Sequence, residues 1–365
     1  MDYSVIKPIE TPIPADRQGA RRHYGVHPYF TRRPFNVVRR YIERYTSAGD
    51  TVLDPFGGSG VTAIEAYLAG RNAIHNDLNP LANFIAQGIV NLEQGTVRDL
   101  KTALGEVRAS CQKRVEAIHT ENPSFIDEKF KPLLPPNIRL PRTSDVEFYF
   151  DLFTPRQLIS LALIKQAIGQ LEDASARNAM LVAWSATLAK LNKTFLSAEG
   201  RAASRGGSSI FSIYRYKVAK KPVELPPWQT FEERAQNIIA AKVEIDRIVT
   251  FQIANGAWNG GFSVYQNDID ALASKLRNKT DYIFTDPPYG GHISYLDLST
   301  LWNNWLGELP DQEACDQELI VGGEKDHSRG TVHTAAKRQH SRVFADAQEG
   351  KVDVRRVSAL EYCLF

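Results

Sequence analysis

The chain has 365 residues, room for a core-forming domain plus a second domain or a large insertion. Hydrophobic residues make up 43% and charged residues 24%, the balance of a soluble globular protein rather than a disordered or membrane-spanning one. With 44 Lys and Arg against 42 Asp and Glu, the net charge of +2 does not itself argue for a nucleic-acid partner, so any basic surface must be local.

Residues 1–34 are polar and rich in Pro and Arg, and read as an arm lying over a core. From 17 to 44, eight arginines face a single acid, Glu43. No apolar segment of a signal peptide opens the chain. No run of ~18 uncharged apolar residues predicts a transmembrane helix. Cys111, Cys315 and Cys363 are too far apart for a zinc spacing, which fits a reducing cytoplasm and predicts no metal.

Val37, Val38, Tyr41, Ile42 and Tyr45 fall at helical spacing within 35–48. The next stretch, TVLDPFGGSGVTAIEAYLAGRNAIHNDLNP, reads strand, glycine-rich turn, helix, strand. Thr51–Leu53 form the first strand, Val61–Leu68 the helix, and a second strand runs from Ala73 to Asp77. Two strands joined by a helix begin a parallel sheet.

Residues 91–261 break that rhythm and read as a mostly helical insertion, a candidate target-recognition region. Residues 97–121 look helical and solvated. Residues 122–150 carry Pro123, Pro132, Pro135, Pro136 and Pro141 and read as an extended connection. Thr154 followed by Pro155 is a helix start, a capping hydroxyl before a proline at the first helical position, and that helix runs to about Leu171. Further helices cover 174–191 and 230–250.

The sheet pattern resumes with FSVYQND (262–268), then DYIFTDPPYG (281–290), then an apolar helix over 293–307. The fold class is therefore α/β. Residues 329–365 lack a strong apolar run, where an open sheet would want about three more strands. This atypical tail suggests strands that are unusual, truncated or frameshifted beyond about Ser328.

Two motifs carry chemistry. In Asp54-Pro55-Phe56-Gly57-Gly58-Ser59-Gly60, glycines turn the backbone sharply where a strand hands over to a helix whose N-terminus offers free N–H groups. The spacing is not that of a dinucleotide site, and Asp54 suits a cationic ligand or amino group better than pyrophosphate. S-adenosylmethionine carries a sulfonium and an ammonium. Asp77, at the end of the next strand, is placed to take ribose hydroxyls. The competing reading is a tight turn that merely packs helix on strand.

The second motif is Thr285-Asp286-Pro287-Pro288-Tyr289-Gly290. An exocyclic amine on a base is a poor nucleophile because its lone pair is delocalised into the ring. Two acceptors facing the NH2 group hold it toward sp3 geometry and stabilise the developing charge. Asp286 supplies one and the Pro287 carbonyl the other; Pro288 stiffens the turn. Tyr289 offers a ring face on which an extruded base can stack. The bland alternative is a rigid turn ending a strand.

Together DPFGGSG and DPPY resemble the motif set of the amino-group DNA methyltransferases, which modify adenine N6 or cytosine N4. HPYFTRRPFNVVRRYI (27–42) is similar to the segment of that family that closes over the methionine end of the cofactor, which implicates Pro34 and Phe35. NDLNP (76–80) resembles the ribose-binding strand end, and Asp268 falls where the family places an acid near the cofactor adenine. The resemblance covers about 27–90 and 262–328. It implies a Rossmann-like methyltransferase sheet, S-adenosylmethionine as cofactor, DNA as partner and base flipping, with DPPY leaning to adenine. The 91–261 insertion here precedes Asp268.

A basic aromatic stretch, 201–221, holds Arg201, Arg205, Tyr214, Arg215, Tyr216 and Lys217 without any acid. Cations suit phosphates and rings suit unstacked bases, though a solvated hairpin with buried rings fits equally. Trp184, Trp302 and Trp305 read as packing. His292, beside the second motif, is a substrate-contact candidate. The leading expectation is a DNA adenine methyltransferase of a restriction or phage-defence system. The alternatives are a tRNA guanine-N2 methyltransferase, or an inactive remnant that binds cofactor or DNA.

Overall fold

The computed structural model describes residues 6–17, 20–196, 207–218, 220, 222–256, 260–276, 280–287, 293–311, 314–315 and 318, with residues 195, 196, 207 and 212 described through their backbone. Its centre is a parallel sheet of β1 (Thr51–Asp54), β2 (Asn72–Asn76), β5 (Phe262–Tyr265) and β6 (Tyr282–Ile283), in the order β5-β2-β1-β6. The chain lays β2 and β5 on one side of β1 and then returns to place β6 on the other. All four strands point the same way, so their C-terminal ends form one edge. An acid stands at or just after each end: Asp54, Asp77, Asp268 and Asp286. In open α/β sheets that edge is where ligands bind.

Local sequence explains the helices around the sheet. Helix α1 (Phe35–Tyr45) follows Pro34 and buries Phe35, Val38 and Ile42. Helix α2 (Val61–Leu68), between β1 and β2, is buried on every side. Helix α3 (Pro80–Val90) adds an element not expected from the apolar pattern. Its start is nonetheless written in Asn79-Pro80: the Asn79 side chain accepts from Leu81 N and the proline sits at the first helical position.

The insertion is helical, as expected. Helix α4 (Val97–Glu121) begins at a capping box of Thr96 and Asp99. It is not solvated all round: Leu100, Ala103, Leu104, Val107, Cys111 and Val115 form a buried stripe at helical spacing. Helix α5 (Pro155–Gly169) starts at the Thr154 cap, paired with Gln157. Helix α6 (Ala174–Leu188) starts at Asp173. Helix α8 (Pro227–Ala254) begins earlier than the apolar pattern suggests, because Pro227 opens it. Between α6 and α8 lie a short antiparallel pair, β3 (Phe195–Leu196) with β4 (Gly207–Ser208), and the short helix α7 (Ser209–Ile213).

One hydrophobic core runs from Val52 and Ile64 in the sheet layer through Leu104, Leu161 and Ile238 of the insertion to Trp302 and Trp305. The insertion therefore shares its core with the sheet. Helix α10 (Tyr295–Leu306) packs against α3 and α6, joining the two parts. Trp184, Trp302 and Trp305 are fully buried there, as expected; Trp184 Nε1 donates to the Leu161 carbonyl and Trp302 Nε1 to that of Ser185. Among the described residues no helix is long and apolar enough to cross a membrane. The atypical tail, 329–365, lies outside the described residues.

Candidate active site

Between β1 and α2 the chain turns through residues 55–60. Gly60 has φ +89, and a Cβ built there would lie 2.7 Å from the Ala86 Cβ of α3. Glycine is required on both counts. At Gly57 a Cβ would collide with the ring of His75, which lies directly beneath on β2. The turn is pinned to β2 by Gly57 N donating to the Asn76 carbonyl at 2.8 Å. It is also held by Gly58 N donating to Asp77 Oδ2 at 2.7 Å.

Asp77 uses its other oxygen to accept Asn79 N at 2.8 Å. Burial nevertheless raises its pKa to about 6, those two N–H donors lowering it only in part. An ionised carboxylate offers about four lone-pair positions. Two are used here, and Asp77 lines a cavity. Asp54 is similarly buried, and burial raises it to about 7, against the lowering effect of Thr62, Thr285 and the Phe56 N–H. Asp268 caps helix α9 (Ile269–Lys275), accepting Ala271 N at 2.8 Å, and lies on the wall of the same cavity.

That cavity gathers most of the cofactor-binding candidates read from sequence, together with Asp286. Asp54, Pro55, Phe56, Gly57, Gly58, Ser59, Asp77, Asp268 and Asp286 line it. Gly60 stands behind the turn against α3. Pro34 and Phe35 do not line the cavity: Pro34 precedes α1, and Phe35 is buried against Tyr24 beneath Arg21. Their part of the chain reaches the cavity instead through Tyr29, Thr31, Arg32 and Arg33, which motif reading did not name.

Arg32 is fixed in place. It donates from Nε to Ser59 Oγ at 2.8 Å, from Nη1 to the Tyr24 carbonyl at 2.6 Å and from Nη2 to the His27 carbonyl at 2.8 Å. It thereby clamps the arm onto the glycine turn. His27 is buried and held neutral: burial lowers its pKa to about 3, despite its contact with the Pro28 carbonyl. Its Nε2 lies 3.0 Å from Ser185 Oγ. Tyr295, from α10, also lines the cavity and stacks on Tyr29 with ring centroids 6.4 Å apart. Burial, with smaller contributions from Asp286 and other acids, raises the Tyr295 hydroxyl pKa, while Thr31 partly opposes it.

At the second motif, Thr285 Oγ1 donates to Asp54 Oδ1 at 2.8 Å, joining two motifs 231 positions apart. Asp286 meets Arg33 through two parallel bonds, Nε to Oδ2 at 2.6 Å and Nη2 to Oδ1 at 2.5 Å. Pro287 is described but does not line the cavity. Pro288, Tyr289 and His292 lie outside the described residues.

The basic aromatic stretch divides. Arg201 and Arg205 lie outside the described residues. Tyr214 is half-buried, with φ +51. Arg215 is exposed and pairs with Asp145, an acid from the Pro-rich connection. Lys217 is exposed. Tyr216 differs from the expectation: it is buried, and its hydroxyl donates to the Leu298 carbonyl at 2.7 Å, so it anchors α10 rather than offering a face to a base.

Sequence comparison places the chain among known proteins. The DNA methylase family matches residues 11–86, which hold α1, the glycine turn and Asp77. The chain is 30% identical over 90 residues to the type II methyltransferase M.MjaII of Methanocaldococcus jannaschii, covering 25% of this chain and 17% of that protein. It is 33% identical over 98 residues to M.MthZI of Methanothermobacter thermautotrophicus, covering 27% and 26%. A longer match, 22% identical over 284 residues, joins it to M.MvaI of Kocuria varians, covering 75% of this chain and 55% of that one. The chain thus spans about a quarter or less of the first two relatives' lengths. No solved structure matches it.

Proposed function

We propose that this chain, whose residues 11–86 match the DNA methylase family, transfers a methyl group from S-adenosylmethionine to the exocyclic amino group of adenine in DNA. The observation that carries this reading is the meeting of Asp286, Asp77 and the glycine turn on the wall of one cavity at the C-terminal edge of the sheet.

The donor set fits the cofactor. Asp77 has lone pairs left for ribose hydroxyls, and Asp268 lies beside it on the β5 side. Asp54, buried in the middle of the edge, faces the cationic part of the ligand. Arg32 and Arg33 are the cations on the described wall and suit a carboxylate. When bound, the cofactor supplies a methyl group made electrophilic by its sulfonium. Asp286 accepts an N–H of the incoming amine, which concentrates its lone pair on nitrogen, and the Pro287 carbonyl is the second acceptor. As the nitrogen becomes cationic, Asp286 stabilises it and then takes the proton toward solvent, which reaches this partly exposed carboxylate. Tyr295, on the same cavity wall, helps to position the base.

Adenine is preferred over cytosine because the motif reads DPPY. The names of the relatives suggest that the chain serves as the modification half of a restriction system. Modification-aware sequencing of DNA from cells expressing the chain, beside an Asp286→Ala control, tests this. N6-methyladenine at a defined site, lost in the control, is expected. Methylated cytosine would correct the base, and methylated guanine in tRNA with unmodified DNA would overturn the reading.

A further inference from the structure

Asp286 cannot serve an amine while both of its oxygens are held by another donor. That is its state here, because the Arg33 guanidinium spans the carboxylate with two parallel bonds at 2.6 and 2.5 Å. Arg33 and Arg32 are neighbours on the same wall but are held differently. Arg32 is buried and bonded to two backbone carbonyls and Ser59. Arg33 and Asp286 are 43% and 31% exposed, so their pair sits at the cavity mouth where a competing carboxylate can exchange with it.

The wall also has a charge imbalance. Asp54, Asp77, Asp268, Asp286 and Glu318 line it with two arginines, and Arg32 is already committed to the arm and the glycine turn. A zwitterionic amino-acid end entering the cavity finds carboxylates for its ammonium. For its own carboxylate the suited partner is Arg33. The reactive methyl must lie beside Asp286, and the amino-acid end is joined to it by a short aliphatic chain, so the carboxylate arrives near the place where Arg33 now sits.

We propose that Arg33 exchanges one carboxylate for another: it holds Asp286 in the free chain, turns to the cofactor's carboxylate on binding, and so releases Asp286 for the target amine. This rests on the function proposed above. No covalent bond changes, and one guanidinium–carboxylate pair replaces another without altering net charge. The consequence is an order of binding. Cofactor makes the base site competent, and a base entering first meets an acceptor already in use.

The test uses the full chain and a duplex with 2-aminopurine at the position that sequencing identifies as modified, with fluorescence reporting departure of that base from the stack. For the unaltered chain, S-adenosylhomocysteine, which has the carboxylate, should switch the signal on. Its decarboxylated analogue should bind and leave the signal low. In Arg33→Met the signal should rise without cofactor, and calorimetry should show S-adenosylhomocysteine bound roughly tenfold more weakly, the loss of one charge-assisted pair. Arg33→Lys, which keeps charge but not the fork, should show partial release and supplies the same reading if the Met variant does not fold. Unaltered cofactor dependence in both variants, with S-adenosylhomocysteine still bound, overturns the exchange alone. Failure of the unaltered chain to bind S-adenosylhomocysteine overturns the methyltransferase reading as well.

Discussion

The hydroxyl of Thr285 donates to Asp54 across 2.8 Å, and this bond joins the end of β1 to the turn after β6. The donor is one residue from the proposed amine acceptor Asp286. The acceptor is a buried carboxylate, one of three groups lowering the Asp54 pKa against burial being this hydroxyl. Thr285→Val keeps the shape and removes the donor. It should cost about 1–3 kcal/mol of stability, measured by denaturant unfolding, because a buried carboxylate loses a partner. It should also lower kcat more than cofactor affinity, because Asp286 loses its fixed neighbour. Equal loss of both would place the effect in the fold rather than in the positioning of Asp286.

Cofactor binding should tighten as pH rises from about 5 to 8. Burial raises Asp54 to about 7 and Asp77 to about 6, so below those values the free site holds protons that a cationic, hydroxyl-bearing ligand must displace. Calorimetry in buffers of different ionisation enthalpy should detect proton release near pH 6 and none at pH 8.5. For stability the sign is opposite. A carboxyl raised in the folded state stabilises the fold below its unfolded value and loses that contribution as pH rises through its folded value. The melting temperature of the free chain should therefore fall between pH 4 and 8, and the slope should be shallower in Asp54→Asn.

What could be read from sequence was what lies close along the chain. The glycine turn, Asp54 and Asp77 fall within one strand–helix–strand unit, and the α5 start needs Thr154 and Pro155 alone. The Asn79-Pro80 start of α3 is equally local, but it follows the Asp77 strand end so closely that the apolar pattern alone does not separate the two. Contacts made by tertiary packing were not legible. Arg33 and Asp286 are 253 positions apart, and nothing in the composition of either segment names the other. Tyr216 looked like a stacking residue because it stands among cations. Its burial is decided by the backbone of α10, 82 positions away. The stripe of α4 was spaced for burial, but its many charged neighbours masked the pattern.

The arm is tied down by a buried charge cluster that should respond to pH. His23 Nδ1 lies 2.8 Å from Glu244 Oε2 on α8, and its other nitrogen is 3.9 Å from Glu65 Oε1 on α2. Glu65 also accepts the Tyr24 hydroxyl at 2.9 Å and Arg39 at 3.4 Å. Burial works against a charged imidazole here, but the hydrogen bond to Glu244 and the nearby Glu65 carboxylate outweigh it and the pKa is raised. A raised histidine contributes stability fully below its unfolded value, near 6.5, and loses it as pH rises through its folded value. His23→Gln should cost about 1–3 kcal/mol at pH 6 and less at pH 9. Equal losses at both pH values, read by urea unfolding, would show that the ring acts here without its charge.

Gly60 offers the sharpest separation of backbone from packing. Its φ of +89 is costly for any side chain, and a Cβ would lie 2.7 Å from Ala86 Cβ and 3.1 Å from Ile64 Cδ1. Gly60→Ala should therefore lose about 1–3 kcal/mol from strained dihedrals, with a further loss from overpacking against α3. Ala86→Gly in the same chain removes the nearer clash but leaves φ unchanged. The double variant should recover part of the stability, less the small helix-propensity cost of glycine within α3. Cofactor affinity, which follows the shape of the turn itself, should remain reduced in both. Full recovery of both quantities in the double variant would mean that α3 packing, and not the left-handed turn, makes glycine necessary at this position.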